Sequence, residues 1–171
     1  HPDGNPHIQL DPRNYPPVTR ALLQRMIELD ADNADFYRRQ SDDFLQRWQS
    51  SLELWEQRAV KLKNMPTVVY HDAWVYLNHW LGLAQLAELE PKPGVPPTSS
   101  HLSSLIKLMQ SEPAQVIIRA PFKPSRAAEW LHERTAIPVL VLPYTVGGHP
   151  QADDLFGLFD STVSLLLGVS P

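Results

Sequence analysis

Cysteine is absent from the 171 residues. Its absence excludes disulfides, thiolate metal sites and a cysteine nucleophile, and it suits either the cytoplasm or the periplasm. Any metal site here must be built from His, Asp, Glu or water. A basic face is lacking too. The formal charge is -4 and the pI is near 5.9, which argues against a nucleic-acid partner. No run of about 20 apolar residues offers a membrane span. The G-x-S-x-G elbow, the Walker A loop, the G-x-G-x-x-G turn and H-E-x-x-H are all missing, and nothing assembles a nucleophile, a base and an oxyanion hole.

What is present suffices for one good-sized domain, since 43% of the residues are apolar. The 17 prolines cluster at Pro2 to Pro17, Pro91 to Pro97 and Pro113 to Pro150, as rigid loops between regular elements do. The chain opens at His1 rather than Met, which points to a removed leader, an upstream segment or an excised piece.

Residues 1–14 read as a loop. Tyr15-Pro16-Pro17 opens a helix whose apolar face, Leu22, Leu23, Met26 and Ile27, runs to about Leu29. Asp30 to Asn33 breaks it and caps a long amphipathic helix from Ala34 to Lys63, with Tyr37, Phe44, Trp48, Leu52, Trp55, Ala59 and Leu62 on its core face. The rhythm then changes. Strands are predicted at Thr67–Tyr70, Gln85–Leu89, Gln115–Arg119 and Val139–Leu142. Helices are predicted at Ala73–Leu81, Ser99–Ser111, Ser125–Thr135 and Ala152–Leu167. Four βα units in succession imply an α/β fold: a four-stranded parallel sheet with helices on both faces, preceded by two helices, one of them long.

Two histidines stand in telling contexts. His7 lies in Asn5-Pro6-His7-Ile8-Gln9-Leu10-Asp11-Pro12, just ahead of a helix. His71 lies in Val68-Val69-Tyr70-His71-Asp72-Ala73-Trp74, where a β-type run ends and Asp72 is placed to cap the next helix. A histidine at the end of a buried strand faces the ligand side of an open α/β sheet. Two imidazoles on converging loops are candidates to share one metal ion. The bland readings are a strand-end hydrogen bond for His71 and solvation for His7. Asp72, Glu88 and Glu90 gather near the ends of the first two strands, as a further ligand, an orienting partner for His71, or simple caps. His79 and His132 sit on helices, and His101 belongs to a helix-capping region. His149 follows Gly147-Gly148, a pair that reads as a tight turn before an anion-binding nest. His1 reads as an accident of where the chain starts.

These residues together resemble the solute-binding proteins of bacterial zinc and manganese ABC transporters. The likeness starts at Asn5 to Pro12, similar to that family's Pro-His-x-x-Leu-Asp-Pro element. It continues through Leu29 to Tyr37, His71 to Tyr76 and Pro97 to Leu102, and ends at Asp154 to Asp160. The resemblance implies two lobes joined by a rigid helix, with metal bound between them. Residues 1–14 would be the interlobe metal-site loop, 15–66 the connecting helix and the long amphipathic helix, and 67–171 the C-terminal α/β lobe. It implies His7 and His71 as metal ligands, and an N-terminal lobe, carrying another histidine, that this chain does not include. Many family members place an acidic ligand after the last strand. Here that stretch reads Leu142-Pro143-Tyr144-Thr145-Val146-Gly147-Gly148, so water, or failing that His149, would complete the shell. A histidine site without that carboxylate favours zinc over manganese, and so does His71, where a glutamate would suit manganese.

The leading expectation is therefore a metal-capture protein, not an enzyme, that delivers zinc to a membrane permease from the periplasm or from a tethered extracellular position. The exposed face of the first helix is expected to promote self-association. The alternatives are a metal-dependent hydrolase-like enzyme with Glu90 as its base, and an adhesin or interaction module with a vestigial metal site.

Overall fold

A computed structural model describes residues 4–169; His1 lies outside them. The regular elements are α1 (Tyr15–Leu29), α2 (Ala34–Ala59), β1 (Pro66–Val69), α3 (Val75–Leu81), β2 (Ala84–Glu88), α4 (Ser99–Ser111), β3 (Val116–Arg119), α5 (Arg126–Thr135), β4 (Val139–Val141) and α6 (Leu155–Leu167). The strands form one parallel sheet in the order β2-β1-β3-β4. The four βα units expected from the sequence are all present. A 3-10 turn at Val60–Leu62 finishes the long helix.

Both faces of the sheet are covered, which explains the unalternating apolar strands. Val69, Val116 and Ile118 face a core filled by Trp48, Trp55, Leu77, Phe159 and Val163 from α2, α3 and α6. Val68, Tyr70 and Ile117 face a second core of Leu102, Leu105, Met109 and Leu131 from α4 and α5. Neighbouring residues on each strand thus serve opposite cores, as the pleat requires.

Three local expectations are revised. The described part of the expected loop ahead of α1 contains 3-10 turns at Ile8–Leu10 and Pro12–Asn14. Asp72 does not cap α3. The N-cap residue is Trp74, with no side-chain cap bond; the chain first makes a tight turn that buries Ala73 and Trp74. The last helix begins at Leu155, not Ala152, because the Asp154 carboxylate accepts the Gly157 N–H at 2.7 Å and sets the start.

The segment carrying His7 is tied to the core at two points. Leu10 is buried among α2 and α3 side chains. The Trp48 indole donates to the Pro12 carbonyl at 2.9 Å in a buried bond. Asp11, also buried, is held by Arg13, whose guanidinium donates to it at 2.7 Å and whose backbone N–H donates at 2.9 Å. Trp48 therefore joins the middle of the long helix to the turn just past His7.

Trp48→Phe keeps most of the packing but leaves the Pro12 carbonyl without its donor. The expected loss is about 1–3 kcal/mol in urea unfolding. Hydrogen exchange at Leu10 to Asn14 should accelerate more than exchange in β1. Unchanged exchange in that segment would show that the indole bond does not hold it.

Candidate metal centre

The sheet order reverses direction between β1 and β3, since β2 lies on one side of β1 and β3 on the other. In open α/β sheets this switch point opens a crevice outside the carboxyl ends of the strands. A pocket of about 130 Å³ lies there, lined by His7, Tyr70, His71, Ala73, Trp74, Ala120, Phe122, Lys123 and Tyr144. The exits of β1, β3 and β4 supply most of it, and the segment before α1 crosses over to supply His7.

His71 is fixed by the sheet itself. Tyr70 prolongs the β1 ladder, its N–H donating to Ile118 and its carbonyl accepting from Glu90. Beyond it, His71 Nδ1 bonds Glu90 Oε2 at 2.7 Å. Glu90 is 6% exposed and its oxygens are fully engaged: Oε1 accepts from Lys123 Nζ at 2.8 Å, and Oε2 also accepts the Gly94 N–H at 2.8 Å. Burial alone would raise the Glu90 pKa, but Lys123, the Gly94 amide and His71 outweigh it and hold the carboxyl below its ordinary value. An ionised carboxylate only accepts hydrogen bonds. His71 Nδ1 must therefore carry a proton, which leaves Nε2 as the candidate ligand nitrogen, the usual arrangement of a metal-binding histidine.

His7 reaches the same pocket from the other side. Its ring centroid is 5.9 Å from that of His71, with the planes at 76°. Zinc–nitrogen bonds of about 2.0–2.1 Å are compatible with one ion shared by rings so placed. His7 Nδ1 meets the Tyr144 hydroxyl. Burial, the neighbouring His71 and Lys123 lower the His7 pKa against the opposing pull of Asp72, which favours the neutral, ligating form. Asn5 clips the two histidine turns together: its Oδ1 accepts the His7 N–H at 3.0 Å and its Nδ2 donates to the Asp72 carbonyl at 2.9 Å.

The other candidates lie elsewhere. His149 is not on the pocket wall, and its Nδ1 accepts the Gln151 N–H at 3.2 Å within its own loop. Gly147 and Gly148 spend their N–H groups on Ala152 and Thr145, so the pair is a tight turn, with Gly147 at φ +82°, and not an anion nest. His101 takes part in the Thr98 cap and bonds the Glu88 carbonyl, His79 meets Arg13, and His132 bonds the Ile137 carbonyl. Asp72 and Glu88 do not line the pocket. Among the described residues no group of three or more His, Asp or Glu side chains is placed to hold one ion. Tyr144, Lys123 and Asn5 escaped the sequence reading. Lys123 follows the third strand, as ligand-side residues do, and that was its one available signal. Tyr144 lies within the stretch noted for lacking a carboxylate.

Residues 1–167 match the protein family described as zinc-uptake complex component A, periplasmic. The high-affinity zinc uptake system protein ZnuA of Bacillus subtilis (strain 168) is 23% identical over 127 residues, which are 74% of this chain and 40% of that protein. The crystal structure of ZnuA superposes with a TM-score of 0.84 at 20% identity, over 98% of this chain and 61% of that one. The SBP FpvC from Pseudomonas aeruginosa in complex with Mn2+ gives 0.75 at 22% identity, over 96% and 63%. The chain thus spans about two fifths of the curated relative and about three fifths of these solved structures.

Glu90→Gln preserves size but removes the charge opposite Lys123 and lets the amide present either a donor or an acceptor to His71. Breaking a buried pair from one side should cost about 3 kcal/mol at pH 7. Because the folded-state pKa of Glu90 is lowered, its stabilisation is complete above the ordinary glutamate value of about 4.3 and is lost as pH falls through the lowered value. Unfolding of the two proteins across pH 7 to 3 should converge at the acid end. A gap that stays constant with pH would rule out the ionised pair as its source.

Proposed function

The chain belongs to the zinc-uptake complex component A family of metal-binding ABC-transporter solute-binding proteins, and on that footing we propose that it captures zinc and passes it to a membrane permease without a catalytic step. The observation that carries this reading is the meeting of His7 and His71 in one crevice, each with Nδ1 engaged by a neighbour. Two imidazoles, with no carboxylate among the described residues of the pocket wall, favour zinc over manganese, which prefers oxygen ligands. The hydrolase alternative loses its base, since both Glu90 oxygens are committed to other groups. Family membership supports a periplasmic setting. Among the described residues no helix is long and apolar enough to cross a membrane.

Calorimetric titration of the metal-free chain should give zinc uptake that His7→Ala and His71→Ala together abolish, with manganese weaker. Affinity should lie well below that of a protein supplying a complete shell, because the described residues place two protein ligands in the crevice. It should also fall as pH drops through the histidine range, near 6.5, since protons compete for the same lone pairs. The lowered pKa of His7 extends its ligating form to somewhat lower pH than a free imidazole. Zinc uptake unchanged in the double variant, or flat from pH 8 to 5.5, would defeat the reading.

The same proposal assigns the outer face of α1 to contact with the further lobe that the resemblance implies. No α1 side chain is buried, and an apolar groove of about 500 Å³ runs between α1 and α2 past Val18, Leu22, Met26, Phe36 and Phe44. Leu22 is 58% exposed. In this chain alone that face should drive self-association. Sedimentation should show concentration-dependent association that Leu22→Glu relieves, while a monomer at every concentration would count against the assignment.

A further inference from the structure

Asn5 does more than close its own turn. Pro6 has no N–H to offer and holds the residue before it extended. The first amide the Asn5 side chain meets downstream is therefore that of His7, two residues on, and Oδ1 accepts it at 3.0 Å, as in an Asx turn. The other end of the same side chain leaves the turn. Its Nδ2 donates to the Asp72 carbonyl at 2.9 Å, 67 positions along the chain. The roles in both bonds are fixed, because a backbone N–H only donates and a backbone carbonyl only accepts. Asp72 follows His71 directly, and the His71 ring is bonded to the buried Glu90. One planar amide thus runs from the main chain at His7 to the main chain beside His71, where the two rings stand 5.9 Å apart.

We propose that Asn5 is a positioning residue of the crevice, a strut whose amide sets the spacing of the two histidine-bearing turns before an ion arrives. The role needs both ends of the amide; the Asx turn alone does not supply it. Because the strut joins main-chain atoms, it operates whichever partners the two rings take. Ligands that must be drawn together on binding spend part of the binding free energy on that ordering, whereas ligands already in place do not. Partners behind metal ligands typically change affinity by about ten- to a hundredfold. The affinity half of this inference rests on the capture reading above; the spacing half does not.

Two variants separate the strut from the turn. Asn5→Ser keeps a side-chain oxygen that accepts the His7 N–H but is too short to reach Asp72. Asn5→Ala removes both bonds. The first measurement is nuclear magnetic resonance of the metal-free chain. Overhauser contacts between the His7 and His71 rings should be present in the unaltered chain and lost in both variants. Exchange of the His7 amide should accelerate in Asn5→Ala and much less in Asn5→Ser, while the amides of β1 and β3 keep their rates. Ring contacts that survive in Asn5→Ser overturn the strut and leave a local turn. Faster exchange throughout β1 and β3 in Asn5→Ser makes Asn5 a residue of general stability and overturns the positioning role. Zinc titration then follows, and both variants should bind about tenfold more weakly. Unaltered affinity in Asn5→Ser overturns the affinity half. An unaltered chain that takes up no zinc overturns the capture reading, and the ring contacts still decide the strut.

Discussion

The buried carboxylate of Glu90 is the constraint on which the functional edge of the sheet depends. A charge withdrawn from water is costly unless several partners surround it, and the partners found are a lysine, a histidine and a backbone amide. They come from three places: Lys123 follows β3, His71 follows β1, and Gly94 lies in the proline-rich loop after β2. Satisfying one side chain therefore fixes the mutual arrangement of three strand exits. The same bond that lowers the free energy of the buried carboxylate dictates which nitrogen of His71 carries the proton. Stability and ligand geometry are coupled at this atom.

His7 is held by different means. Its segment has no place in the sheet and is secured from the side by Leu10 in the core, by the Trp48 indole on Pro12 and by Asn5 reaching the Asp72 carbonyl. The long helix α2 thereby has a function beyond packing. Its aromatic face anchors the turn just past His7, so that an element remote from the sheet edge still positions a side chain there. The aromatic stripe on α2 is core, as its spacing suggested, but one indole N–H on it does positional work.

The fold was legible because its signal is local and repeated. Short strand-like runs alternating with helices leave little room for anything but a parallel sheet, and strand and helix limits fell within about four residues of expectation. His7 and His71 stood out for a similar reason, as each sits in a distinctive local string. The rest of the pocket was not legible, because its contacts join residues far apart in sequence. Tyr144 meets His7 across 137 positions, Asn5 meets Asp72 across 67, and Lys123 meets Glu90 across 33. A phenol or an amide carries no pattern announcing such a partner. The expected Asp72 cap failed on a competing demand, since burying Ala73 and Trp74 required a turn before the helix started, and burial outweighed a capping bond.

The unequal support of the two histidines bears on how such a site works. One imidazole is locked to a buried ion pair whose loss would disturb three loops, so it has little freedom to reorient. The other meets the Tyr144 hydroxyl and is carried on a segment anchored a few residues away. On the capture reading proposed above, the imidazole fixed by the sheet defines where an ion would sit. On the proposed reading the two imidazoles, the ligands identified among the described residues, supply two of the four positions of a tetrahedral shell. The buried carboxylate that keeps the sheet edge together thus stands on the His71 side of the pocket, and the anchored segment before the first helix stands on the other.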